Sequence, residues 1–478
     1  MKAYAFTLQV PQENARHLTI GWLLLALASL VIGGLFTILI VLSRTPFFNE
    51  IIPWIDFFHT ALVVHVDMTV VVWFLAFAGV FWSLITYRHF FWRWLALFLC
   101  VVGTLVISVA PFLGDGHPLM NNYVPVLQIP IFFVGLGIFG VGFTILVVFS
   151  FISSFTSSQR EREQNSSHVS TSSTTGERGE NQAIEDQARG EKALRFGIFT
   201  ALLTALIAII ALIWSYVGIP SDKIGGQYYY ELLFWGSGHI IQFTHTQLML
   251  VAWLWLATIS GAVLYINPRV VIFLFALGAA PTLLTPFIYL TYDVTSPNHI
   301  INFTWLMQYG GGLAALPFGL IIALGILKSK PVPTSFRAEK AALIFSILLF
   351  GVGGIIGFLI SGSNVTVPAH YHGSIVGVTL AFMGLTYYLM PRLGFREISG
   401  KWAQWQPTIY GTGQLMHVLG LAWSGGYGVQ RKTAGAAQGL EGLQQQLGMG
   451  LMGLGGMIAI IGGIIFLVVV FLAMRPQR

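Results

Sequence analysis

Of 478 residues, 55% are hydrophobic and only 9% charged, with mean hydropathy +0.77 and formal net charge +6. A soluble domain carries about 25% charged residues, so most of this chain belongs in lipid. The single cysteine, Cys100, lies in an apolar run, which excludes a disulfide scaffold, a C-x-x-C zinc site, a copper–thiolate centre and a C-x-x-C-H covalent haem. No cleavable signal peptide is visible: the first 15 residues are polar, and the apolar run after them is long enough to span a bilayer.

A span needs about 20 apolar residues. In chain order the sequence predicts twelve, near 17–43, 58–87, 90–114, 127–156, 193–218, 231–266, 269–291, 300–327, 338–362, 367–391, 405–425 and 446–474. The expectation is an all-α polytopic membrane protein with one membrane domain over 1–478: helices I–IV across 17–156, and V–XII across 193–474. The segment 157–192 is rich in Ser, Thr, Glu and Arg and nearly free of aromatics, so it is expected to be a disordered cytoplasmic loop. With the N-terminus inside, twenty of the 24 Lys and Arg residues fall on inner segments, and the outer loops carry only Arg44, Lys223, Arg431 and Lys432. That bias puts both termini in the cytoplasm. The net charge is therefore a topology signal, and no nucleic-acid partner is expected. No internal repeat is evident, against a transporter of inverted repeats.

Ionisable side chains at membrane depth are functional candidates by default. Of twelve histidines, His65, His239, His245, His370, His372 and His417 fall inside spans, with His59 and His299 at span ends. Helices II, VI and X all enter from the outer side. His65 and His239 lie about two turns in and His370 and His372 about one, so at ~1.5 Å per residue they share one layer. Neutral imidazole is a metal ligand compatible with lipid. Residues two apart on a helix diverge by about 200°, so His370 and His372 face opposite sides and can serve two different irons. Asp67 diverges from His65 in the same way and reads as a packing acid or a proton-path residue. His245 lies about 240° round the helix from His239 and is expected to pack elsewhere, whereas Gln242 shares the His239 face.

The motifs VVHVDM in helix II, WGSGHIIQF in helix VI, VPAHYHGSIVGVTLAFMGLTYYLMPRLG in helix X, MHVLGL in helix XI and GVQRK in the following outer loop resemble subunit I of the haem–copper oxidase superfamily, which includes nitric oxide reductases. The resemblance covers essentially the whole chain. It implies that His65 and His372 are axial ligands of a low-spin haem, that His370 is the proximal ligand of a high-spin haem, and that His239 binds a non-haem metal. It also implies that Arg431, Lys432 and His417 lie near the haem propionates.

The departures from that pattern concern the metal site. The position of the phenol one turn after the metal histidine is Phe243, leaving Tyr289 and Tyr292 on helix VII as candidate catalytic phenols. Helix VII, TLLTPFIYLTYDV, lacks the usual His pair, and the pumping carboxylate position is Ile241. Further ligands are sought among Asp293, Gln242 and His299 (with Tyr289 and Tyr292), an oxygen-rich set that favours iron over copper. The expected cofactors are two haems, b-type rather than a-type, and non-haem iron or copper. The expected activity is reduction of a small gas, NO to N2O being favoured over O2 to water, with a non-catalytic haem electron carrier as the alternative. The expected partner is an electron-donating subunit, a cytochrome c or a cupredoxin on the outer face of a bacterial or archaeal cytoplasmic membrane.

Overall fold

The computed structural model describes residues 2–10, 14–45, 55–86, 88–114, 116–167, 175–329 and 334–475. Its helices are α1 (Asn14–Arg44), α2 (Ile55–Val66), α3 (Trp73–Ile85), α4 (Phe90–Val109), α5 (Pro130–Ser167), α6 (Thr175–Gly218) and α7 (Gly226–Ile259). They continue with α8 (Pro268–Ala279), α9 (Thr285–Thr291), α10 (Pro297–Gly310), α11 (Ala315–Leu327), α12 (Arg337–Phe358), α13 (Thr366–Arg392), α14 (Lys401–Gly426) and α15 (Leu443–Ala473). Helix II is α2 and α3 joined through a π-helical turn, Asp67–Val72. Helix VII is α8 and α9 joined through a 3-10 turn, Ala280–Leu284, that begins at the Ala280-Pro281 step. Helix VIII is α10 followed by α11.

Among the described residues, eleven helices are long and apolar enough to cross a membrane. The expected span 405–425 falls on α14, which is long enough at 26 residues but is interrupted by Gln404, Gln406, Gln414 and His417. It packs against α12, α13 and α15, so helices rather than lipid cover its polar groups. The expected loop 157–192 needs correction: α5 runs on to Ser167 and α6 already starts at Thr175, with 168–174 outside the described residues. Pairs such as Arg189–Glu185 and Arg195–Glu191, one turn apart, support that helix, and Lys2 pairs with Asp186.

Small residues let the helices touch. A Cβ on Gly373 of α13 would lie 2.6 Å from the Cα of Gly353 on α12, and one on Gly420 of α14 would lie 2.4 Å from the Met452 nitrogen of α15. Two short antiparallel strands, β1 (His117–Leu119) and β2 (Val126–Gln128), pair Leu119 with Val126 and hold residues 120–125 as a strap across one end of the bundle. In the π turn, the Asp67 carboxyl is 1% exposed and both its oxygens lack a partner. Of the two sequence readings, a packing acid or a proton-path residue, the satisfied packing acid is not what the described residues show.

Candidate functional site

All six span histidines line one cavity of about 2340 Å³: His65, His239, His245, His370, His372 and His417, together with Gln242, Arg431 and Lys432. A pocket for a drug-sized ligand is about 300–1,000 Å³, so this one has room for two large planar groups. Gly34, Gly351 and Gly354 lie in its wall, and a Cβ at any of them would meet nothing within 4 Å.

Four of the imidazoles are oriented in the same way. The Nδ1 of His65 lies 3.1 Å from the Gly33 carbonyl oxygen and 3.0 Å from Thr37 Oγ1, which itself donates to that carbonyl. The Nδ1 of His370 lies 2.7 Å from Gly353 O, that of His417 3.0 Å from Met452 O, and that of His239 2.7 Å from Trp235 O. A carbonyl can only accept, so each Nδ1 carries the proton and each Nε2 keeps its lone pair. Metal-bound histidines almost always show this arrangement. In this respect His65 and His370 fit haem irons and His239 a non-haem metal, while His417 is oriented in the same way.

His370 and His372 diverge as their spacing requires. His370 faces α12, while the His372 ring packs edge-on against His417 of α14 at 4.9 Å. His65 lines the same cavity as His372 and His417. His245 also lines the cavity, its ring 4.8 Å from Phe74 and its Nδ1 without a partner.

Cations gather at the strap end. Lys432, in the left-handed region at φ 60°, donates to the Met120 carbonyl oxygen, and its own carbonyl oxygen is 3.1 Å from His59 Nε2. Burial, and then the Arg431 charge, lower the Lys432 ammonium to about 8, with the Glu231 carboxylate pulling the other way. Arg431 donates to Asn122 Oδ1 at 3.2 Å and to Ser363 Oγ at 3.1 Å. Sequence reasoning missed Arg44 at the end of α1, which lines the cavity with Nε and Nη2 buried and without a hydrogen-bond partner among the described residues. An orphaned guanidinium calls for an anion, as a haem propionate is. Its presence among only four basic residues on outer loops was the available signal.

The expected additional metal ligands do not all converge. Asp293 is exposed and accepts from the Thr295 backbone N–H and hydroxyl, which hold its carboxyl below the usual range. Tyr289 donates to Ala211 O at 2.9 Å and shares a hydrogen bond with Ser215, so its hydroxyl is committed to α6. Tyr292 lines a separate small pocket. His299 is fully buried with both ring nitrogens unpartnered, and it and His239 both pack on Phe303. Those orphaned nitrogens suit a metal in donor chemistry, but His299 is not among the residues that line the cavity with His239. Among the described residues no group of three His, Cys, Asp or Glu is placed to complete the set. The oxygen-rich ligand set that favoured iron is thus not assembled.

A second omission is Tyr123, on the strap. Its hydroxyl lies 2.9 Å from His239 Nδ1, and it also hydrogen-bonds the Gln242 side chain. Burial first, then the Glu231 carboxylate, push this phenol well above its usual value.

A family described as Cytochrome C and Quinol oxidase polypeptide I matches residues 17–465. An uncharacterized protein of Rickettsia prowazekii (strain Madrid E) is 28% identical, covering 95% of each chain. An uncharacterized protein of Aquifex aeolicus (strain VF5) is 27% identical over 81% of this chain and 88% of its own. Among solved structures, a haem–copper terminal oxidase dimer determined by cryo-EM is similar at TM-score 0.72 and 18% identity, over 98% of this chain and 85% of that one.

Proposed function

We propose that this chain, which belongs to the cytochrome c and quinol oxidase polypeptide I family, takes electrons through a low-spin haem site to a gas-reducing site and there reduces NO to N2O. It is an oxidoreductase of the haem–copper oxidase superfamily and a multi-pass membrane protein. The observation that carries the reading is the single cavity into which His65, His239, His370, His372 and His417 all face, four of them held by backbone carbonyls at Nδ1.

When bound, two haems of b-type and a non-haem iron or copper would supply one-electron transfer and an open position for the gas. On the chain's side, His65 and His372 would grip the low-spin haem and His370 the high-spin one, while His239 would hold the non-haem metal. Arg44, Arg431 and Lys432 would neutralise the propionates, with His417 beside them. The divergence of His370 and His372 keeps the two haem sites adjacent, which suits fast electron transfer. Coupling two NO to N2O and water consumes two electrons and two protons and needs no phenol. Phe243 and the committed hydroxyl of Tyr289 support that choice. Oxygen reduction is the second reading, and one observation favours it: the Tyr123 hydroxyl at His239.

Electrons would come from a partner subunit, a cytochrome c or a cupredoxin at the strap end, taken as the outer face of a bacterial or archaeal cytoplasmic membrane with both termini inside. Purified protein given a reductant and either gas tests the reading, with non-haem metal measured in the same sample. N2O production is the expected result. O2 consumption without N2O would transfer the assignment to the oxidase reading, and a reduced spectrum unchanged by CO would leave a non-catalytic electron carrier.

A further inference from the structure

The strap between β1 and β2 brings Tyr123 against His239 across 116 positions of sequence. The phenol ring lies 5.0 Å from the imidazole and edge-on to Trp235 at 6.1 Å. It also covers the face of Gly238, where a Cβ would meet ring atoms at 2.2–2.5 Å. That glycine is therefore the space the phenol needs.

The strap is itself pinned: Met120 O accepts from Lys432 and from Gln227 at 3.1 Å, and Asn122 binds Arg431 and the Glu231 carboxylate. The proton on His239 Nδ1 faces two acceptors, the Trp235 carbonyl oxygen and the Tyr123 hydroxyl oxygen. A ring held on two sides by one N–H can neither flip nor exchange its tautomer without breaking both contacts.

We propose that Tyr123 is a positioning residue: it locks His239 with Nε2 turned into the cavity as a metal ligand, and the strap that carries it is held in register by Arg431, Lys432 and Glu231. This rests on the reading of His239 as a ligand of the non-haem metal. Among the described residues no set of three His, Cys, Asp or Glu donors is assembled at His239, and a sparse set depends on such support more than a full one does, because each donor carries a larger share of the affinity. Outer-sphere partners of metal-bound histidines are worth about 10–100-fold in metal affinity.

The test strips non-haem metal from the haem-loaded, full-length protein with a chelator and titrates it with Fe(II), then with Cu(I). Tyr123→Phe keeps the ring and removes the hydroxyl, while Gly238→Ala displaces the ring. Both are expected to weaken metal binding by about 10–100-fold, with the haem absorption and CO difference spectra unchanged, which separates positioning from a general loss of structure. His239→Ala is expected to abolish binding. Equal dissociation constants for Tyr123→Phe and the wild type would overturn the proposal alone. Metal uptake by His239→Ala at the wild-type affinity, or none by the wild type, would overturn the ligand reading and the proposal with it.

Discussion

An imidazole is a dependable axial ligand only if its other nitrogen is anchored, because a free ring loses both orientation and tautomer. The anchors here are carbonyls at Gly33, Gly353, Met452 and Trp235, each presented by a helix turn. His372 has instead the His417 ring at 4.9 Å. His417 is prepared like a ligand, so the pairing of His65 with His372 must be separated from that of His65 with His417. His65→Ala and His372→Ala are expected to lose the low-spin absorption spectrum, and His417→Ala to retain it. His370→Ala should remove the CO-induced spectral change while the low-spin bands persist. Loss of both signals in His370→Ala would mean that one helix does not serve two irons.

At the scale of elements, the site depends on helices that approach closely because they present glycine to one another. Gly353 both touches Gly373 and offers its carbonyl to His370, so helix spacing and ligand orientation are set by the same residue. Gly373→Ala forces α12 and α13 apart and is expected to cost about 1–3 kcal/mol of stability. It should also diminish CO binding at the His370 haem before it affects the low-spin spectrum; the two spectra followed along a thermal ramp would show the order. Much of this architecture was legible, because hydropathy reports spans and His-x-His on a helix fixes two directions. Three features were not. The π turn at Asp67–Val72 leaves no mark in composition, and the start of α6 carries charged pairs in a composition that reads as disorder. Tyr123 sits in a loop beside strands of three residues, and nothing local says that this loop folds back onto α7. Of the phenols that helix VII offered in its stead, Tyr289 is packed into the bundle, because a hydroxyl buried among helices takes the nearest carbonyl, here Ala211, and Tyr292 lines a separate small pocket.

For the whole molecule, the charge pattern and the cavity tell one story. Three of the four basic residues assigned to outer loops, Arg44, Arg431 and Lys432, line the cavity. A polypeptide that keeps its cations on one side of the membrane places them on the other only against a cost, and buried anions supply the compensation. Lys432 makes this testable through pH. Its ammonium is lowered from 10.5 to about 8 by burial and by Arg431, against the pull of Glu231. Without an added anion, then, the group loses its proton as pH rises through about 8, and below that value it is charged. Carboxylates arriving beside it favour the charged form, so their binding takes up a proton above that pH and weakens as the solution becomes more alkaline. Haem transfer to an acceptor protein, measured from one unit below to one unit above the Lys432 value, is expected to become easier with rising pH. Its slope cannot exceed about tenfold per pH unit, since a single proton is linked. Lys432→Met should bind haem less tightly at the lower pH and show no such slope. A slope that survives in Lys432→Met would place the titrating group elsewhere, and equal haem retention at the lower pH would remove Lys432 from the propionate site.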